Sequence, residues 1–295
     1  MAEKKKSAIK ETAKFAVKIA VSAIALYFVF KKVDFKETLQ TMAEANLLFL
    51  ILALIIFNIS KLISIFRLKY LLKEISIYID NLFNVKLYYI GAFYNLFLPG
   101  SVGGDGYKIY LLKQRYNGET RRIISAVFLD RLSGLVSLFF LTGFLLLFSS
   151  YDHTNWFLII VISAIALAFP AYWIVLRLFF KRFTGSYFPT NYVSLATQAL
   201  QVACAFFILF GLNAAGSSMD YLSLFMVSSV VAVVPFTIGG LGAREVVFVL
   251  GYQYLNIDKH TAIAFTLLFF TITAISSFIG FFLSFGKIKK AETAV

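Results

Sequence analysis

Long apolar runs separated by short basic or polar links set the pattern of this chain. A helix needs about 20 apolar residues to span a hydrocarbon core. Six runs meet that length, at 13–30, 46–66, 123–148, 156–180, 192–212 and 261–285. The first contains an Ala-Ile-Ala stretch at 23–25 that resembles a signal cleavage site, but it continues apolar to Phe30 and reads as a retained helix. Two further regions, 82–116 and 221–253, each hold an apolar segment, a Pro/Gly break and a shorter segment of mixed polarity. In lipid, a backbone without internal hydrogen bonds loses several kcal/mol per unpaired group, so each break must be covered by protein or line a water-filled cavity. The pattern predicts an all-α polytopic membrane protein, with six full spans and two re-entrant hairpins in one membrane domain over 1–295. Its expected parts are a basic helix and first span (1–45), a first repeat (46–150), a connecting span (151–190), a second repeat (191–286) and a tail (287–295).

The two breaks carry the same punctuation: PGSVGGDGYK from Pro99 to Lys108 and PFTIGGLGAR from Pro235 to Arg244. A shift of 136 residues superposes Pro99 on Pro235, Gly103 on Gly239, Gly104 on Gly240, Gly106 on Gly242 and Lys108 on Arg244. Five matches in ten columns point to an internal duplication. Proline ends the incoming helix, the glycines permit close backbone approach, and a new half-helix can start after them. Its N-terminus presents free N–H groups and the positive end of a dipole, which favours an anion. If the two copies enter from opposite faces they form an inverted repeat, in which broken helices meet around a midplane site.

Lysine and arginine near the span ends set the orientation. Lys4, Lys5, Lys6, Lys10, Lys14 and Lys18, with Lys287, Lys289 and Lys290, place both termini in the cytoplasm, against the smaller group Lys31, Lys32 and Lys36 on the outer side. The first broken region is bracketed by Arg67, Lys69 and Lys73 and by Lys113, Arg115, Arg121 and Arg122, so it enters from the cytoplasm. The second has only Lys259 beside it and enters from outside.

Composition agrees with a membrane protein: 60% of the 295 residues are hydrophobic and 15% charged. The net charge of +13 lies at the ends of apolar runs, where it meets lipid headgroups, which argues against a nucleic-acid partner. A lone Cys204 and the isolated His153 and His260 offer neither a disulfide framework nor a metal site. The glycine break lacks the Gly-Lys-Ser/Thr of a P-loop, and no serine or threonine near it has a histidine base in the sequence around it. No catalytic residue, metal or cofactor is therefore expected, and the chain reads as a non-enzyme. The expected anion site comprises Lys108 and Arg244 with Gly103, Gly104, Gly106, Gly239, Gly240 and Gly242. Asp105 is placed there as either a helix cap or a functional carboxylate. Asp130 and Arg131 lie about 12 Å inside their span, deep enough to require a protein or cavity environment. Glu245 or Asp130 is expected to pair with a cation, and Glu245 not with its neighbour Arg244. Arg67 closes the second span as a snorkelling anchor or as a neighbour of the site.

The stretches NLFLPGSVGGDGYKIYLLKQR and VVPFTIGGLGAREVVFVL, with DRLSG from Asp130 and the span-closing Arg67, resemble the lysylphosphatidylglycerol synthase transmembrane family of flippase-like integral membrane proteins. In the family's namesake this module is joined to an aminoacyl transferase. This sequence carries no such module, so lysine transfer is not implied. The residues and the resemblance together lead to a lipid transporter in the cell membrane. It would move an anionic phospholipid or a lipid-linked phosphate carrier through a cleft between the two hairpins. The alternative is an enzyme or accessory subunit acting on lipid-linked substrates beside a glycosyltransferase or lipid-modifying enzyme. Oligomeric state stays open.

Overall fold

A computed structural model describes the chain from residue 20 to residue 284, apart from 21, 22, 25, 30, 32, 98–102, 117, 152, 153, 235, 236, 238, 256 and the side chain of Phe97. The prolines of both breaks, the basic stretch 1–19 with the start of the first expected span, His153 and the tail 287–295 lie outside the described residues. Every regular element among the described residues is helical. Helical residues between 20 and 31 precede α1 (Phe35–Ala43), α2 (Leu47–Lys73), α3 (Asn81–Phe97), α4 (Gly103–Arg115) and α5 (Thr120–Leu146). Then follow α6 (Asn155–Phe179), α7 (Tyr187–Gly211), α8 (Ser218–Val233), α9 (Ala243–Gly251) and α10 (Lys259–Ser284).

Short polar residues start several of these helices. The Asp34 carboxylate accepts from the N–H groups of Lys36 at 2.7 Å and Glu37 at 3.1 Å. Those bonds, that from Glu37 first, hold its carboxyl below the usual carboxylate range. Asn46 and Thr154 cap α2 and α6 in the same way.

Among the described residues six helices are long and apolar enough to cross a membrane: Leu47–Lys73, Thr120–Leu146, Asn155–Phe179, Lys181–Gly211, Ala215–Val233 and Lys259–Ser284. Five of them coincide with spans expected from the sequence. The sixth, Ala215–Val233, is the arm that leads into the second break. Its polar start, Ser217 to Asp220, had put its beginning at Tyr221 in the sequence pattern.

α2 and α7 lie side by side and antiparallel. Asn46 at the start of α2 donates its N–H to the Gly211 carbonyl at the end of α7, at 2.8 Å. Phe49 packs on Phe207 and Phe210, and Arg67 near the end of α2 reaches Ser194 near the start of α7. The other neighbours come in matching pairs. α3 packs on α4 as α8 does on α9; α5 packs on α8 as α10 does on α3. At the α5–α8 crossing, the Ser223 hydroxyl donates to the Leu145 carbonyl at 2.9 Å. At the α3–α10 crossing the backbones come closer still: a Cβ on Gly280 would collide with the Tyr89 carbonyl. Close approach through small residues is how helices gain dispersion contact where lipid offers no hydrophobic drive.

Two apolar clusters result. One joins Phe57, Cys204, Ile208, Phe225 and Phe265; the other joins Leu68, Leu72, Phe83, Leu111, Ile123 and Tyr172. α2 belongs to both, and its stretch Asn58–Ser64, with Lys61 at its centre, runs between the two sets. α6 packs mainly on α5 and exposes Trp156, Ile159, Ile160, Leu167 and Ile174, the all-round apolarity of a helix in lipid.

Gly280→Val should cost about 1–3 kcal/mol by overpacking against the Tyr89 backbone. Gly106, with open space where a Cβ would go, should accept alanine at no cost. Thermal unfolding in detergent checks both; equal midpoints for Gly280→Val and the parent would contradict the α3–α10 packing.

Candidate functional site

α2, α4 and α5 converge on a row of ionised side chains inside the helix bundle. Asp130, ten residues into α5, accepts on one carboxylate oxygen from Arg67 Nε at 2.7 Å and from the Tyr88 hydroxyl at 2.7 Å. Its other oxygen lies 3.9 Å from Lys108 Nζ. Lys108 also approaches Asp105 at 3.6 Å and sits over the Tyr88 ring, 4.0 Å from its centre. Asp105 in turn holds Arg131 Nε at 2.7 Å. The series Arg67–Asp130–Lys108–Asp105–Arg131 is therefore continuous. Four of its five side chains are at most 11% exposed, while Arg131 is 44% exposed.

Two glycines make room for it. A Cβ on Gly134 would lie 2.6 Å from Arg67 Nη1, and a Cβ on Gly91 would lie 2.7 Å from the Lys108 stem. A side chain at either position would displace the end of the cation that it meets. Gly134 is the glycine of DRLSG, which explains why a small residue follows Asp130 by one helical turn.

These residues form the floor of an open cleft of ≈ 750 Å³. α7 adds Thr197, Gln198 and Gln201, α10 adds Thr273 and Ser277, and the second break adds Gly239 and Gly240. Ile124, Phe128 and Val233 line it as well and are each more than 40% exposed, so its rim is apolar. A volume in the range of about 300–1,000 Å³ with convergent polar groups is typical of a ligand site.

Lys61 was not singled out from the sequence, and it is the most informative residue of the lining. It lies 14 residues from the start of α2, or about 21 Å along a helix of 27 residues, and six residues, about 9 Å, before the Arg67 that closes the apolar run. Its ammonium rests 4.9 Å from the centre of the Phe57 ring, with no carboxylate within 4.0 Å among the described residues. A lysine inside an apolar run is costly in lipid, up to about 2.5–3.5 kcal/mol at the centre of a span on insertion scales, so it belongs to a cavity or a counterion. The signal was present in NISKLIS, a cation in the middle of an apolar run.

The remaining expected residues separate into those at the cleft and those behind it. Asp105, Lys108, Asp130, Arg131, Arg67, Gly239 and Gly240 line it. Gly103 opens α4, Gly104 crosses Gly91 at backbone contact, and Gly106 faces open space. Gly242 and Arg244 lie outside the lining. Arg244 donates to Ser229 at 2.7 Å and stacks over Phe225 and Phe269 at 5.4 and 5.0 Å, fastening α9 to α8 and α10. Glu245 is fully buried and accepts from the Gly242 N–H at 2.6 Å, so it caps its own helix. Asp130, not Glu245, is the carboxylate paired with cations. At the start of α4, the Asn95 side chain on α3 accepts from the Gly104 N–H at 2.9 Å. Both half-helix starts thus have a side-chain oxygen on an N–H that was expected to face an anion.

Among the described lining residues four cations, Lys61, Arg67, Lys108 and Arg131, face two carboxylates, Asp105 and Asp130, leaving two positive charges in excess. The chain is similar to a UPF0104 membrane protein of Pyrococcus horikoshii, 25% identical over 284 residues that cover 79% of this chain and 85% of that protein. The family described as the lysylphosphatidylglycerol synthase TM region matches residues 15–185 and 191–280, most of both halves. By that match the chain belongs to the lysylphosphatidylglycerol synthase TM region family.

Proposed function

We propose that this membrane protein is a transporter that moves an anionic, phosphate-bearing lipid between the leaflets of the cell membrane. The observation that carries the proposal is the cleft with a net positive floor at bilayer depth and an apolar rim. A headgroup fits the floor, where its charge is met by buried cations in a low dielectric, while the hydrocarbon chains stay beside Ile124, Phe128 and Val233. Membership of a lipid-related membrane family is consistent with this. The chain then needs no catalytic group: Lys61, Lys108, Arg67 and Arg131 hold the anion, and the carboxylates keep the unloaded site tolerable. Transport leaves the lipid covalently unchanged.

The same proposal treats α2–α5 and α7–α10 as two copies of one unit, each with a broken hairpin, α3/α4 or α8/α9. The antiparallel contact of α2 with α7 and the matched packing pairs support an inverted arrangement. With α6 crossing between the copies, the second unit starts on the face opposite to the first. A cleft bounded by both breaks is where such a pair would alternate access. Both termini lie in the cytoplasm in this reading.

In proteoliposomes the parent should exchange a fluorescently labelled anionic phospholipid between leaflets faster than empty vesicles. Lys61→Ala, which strips no carboxylate of its partner, should slow exchange by about tenfold or more, the scale of one lost charge contact of 1.4 kcal/mol. Arg244→Ala should change the rate less, since that side chain lies outside the cleft. Exchange by the parent at the empty-vesicle rate would sink the transporter reading, and an unaffected Lys61→Ala would sink the site.

Topology is tested separately. In a Cys204→Ser background, cysteines at Glu119 and Gln253 should react with an impermeant thiol reagent from opposite sides of the membrane. Labelling of both from one side would rule out the inversion.

A further inference from the structure

The ion pairs of the floor do not absorb its charge evenly. Each carboxylate already carries an arginine at 2.7 Å, Arg67 on Asp130 and Arg131 on Asp105. Lys108 stands farther off, at 3.6 and 3.9 Å, and Lys61 has no carboxylate within 4.0 Å among the described residues. The two lysines are therefore the carriers of the excess. Both face the same cleft, on α2 and on α4, with Tyr88 also lining it.

A bound anion is most favourable when it neutralises the buried charge without overshooting it. A phosphodiester brings one negative charge and would leave one cation of the cleft uncompensated. A phosphomonoester brings about 1.5–2 at neutral pH, because its second ionisation lies near pH 6. From this balance we infer that the ligand of the cleft carries a doubly charged phosphate, a phosphomonoester or a diphosphate, held between Lys61 and Lys108. The inference rests on the proposed passage of a lipid headgroup through the same cleft and specifies which headgroups it takes. Uncharged donors complete the cradle: Gln201 and Ser277 can bond phosphoryl oxygens, while the Thr197 and Thr273 hydroxyls, which donate to the Val193 and Phe269 carbonyls, can accept from an attached hydroxyl, all without altering the charge balance. The apolar rim at Ile124, Phe128 and Val233 argues that hydrocarbon is attached to that phosphate.

Equilibrium binding tests this without any transport readout. The full chain in phosphatidylcholine nanodiscs is titrated with short-chain phosphatidic acid (a monoester), short-chain phosphatidylglycerol (a diester) and inorganic diphosphate. Phosphatidic acid should bind at least about tenfold more tightly than phosphatidylglycerol, as expected for one additional charge contact in a partly desolvated site. Lys61→Gln should reduce that preference to less than about threefold, and Lys61→Arg should keep it. Circular dichroism and the unfolding midpoint verify that both variants are folded. Equal affinity of the parent for the two lipids would overturn the double-charge inference while leaving an anionic-lipid transporter intact. Retained preference in folded Lys61→Gln would remove Lys61 from the site. Diphosphate binding as tightly as phosphatidic acid would overturn the lipid assignment in favour of a soluble phosphate. Absence of leaflet exchange in proteoliposomes, with the binding preference present, would instead reject transport and keep the ligand.

Discussion

Burying Asp130 within a membrane bundle is the constraint around which the candidate site is arranged. A carboxylate inside the bundle is tolerated only when its charge is met, and here two hydrogen-bond donors and a third, ion-pairing cation from three different helices meet it. Arg67 comes from α2, Tyr88 from α3 and Lys108 from α4. Each brings a further requirement. Arg67 needs the absent side chain of Gly134, Lys108 needs the absent side chain of Gly91, and Asp105 needs Arg131 once Lys108 is shared. One buried charge thereby links α2, α3, α4 and α5. Removing one partner from such a pair commonly costs about 3–5 kcal/mol, far above the worth of a surface bridge. Positive charge left over after these pairings accounts for the polarity of the cleft.

The cleft draws its charged residues unequally from the two halves of the chain. Applying the same 136-residue shift, Lys61 corresponds to Thr197, Arg67 to Ala203, Asp105 to Leu241 and Arg131 to Leu267. Only Lys108 keeps a charged counterpart, Arg244, and that counterpart is used for packing on Phe225 and Phe269. The first half therefore supplies the charges of the cleft together with the apolar Ile124 and Phe128, and the second supplies Val233 and the uncharged polar Thr197, Gln201, Thr273 and Ser277. Lys61 and Thr197 line the same cleft because α2 and α7 lie against each other antiparallel.

Much of the fold is legible in the sequence because hydrocarbon thickness is a strict ruler: the runs at 46–66, 123–148, 156–180, 192–212 and 261–285 all reappear as long helices. The arm before Val234 was harder to delimit, since Ser217, Ser218 and Asp220 interrupt the hydropathy although the chain is already helical there. Asp105, Lys108, Asp130 and Arg67 could be singled out because charges inside apolar segments have few bland explanations. Which carboxylate meets which cation could not be read, since Arg67 and Asp130 are 63 residues apart and meet only through the packing of α2 on α5. The roles of Asn95 and Glu245 as caps were hidden for the same reason in the first case. In the second, a glutamate three residues after Gly242 is a recognisable capping spacing that its charge obscured. Lys61 was legible by the same rule as Asp130 and was passed over because the run around it is long enough to span without it.

The central claim is that the excess positive charge of the cleft is met by a lipid phosphate at bilayer depth. The most direct test is a solid-state NMR dipolar measurement between the phosphorus of the bound lipid and 15N-labelled lysine side chains. The protein would be held in a bilayer containing an anionic lipid, with Lys61 assigned by substitution to arginine. The account predicts a phosphorus contact at ion-pair distance for Lys61 that disappears in the substituted protein. Contacts confined to the lysines at the helix ends, with Lys61 silent, would contradict it.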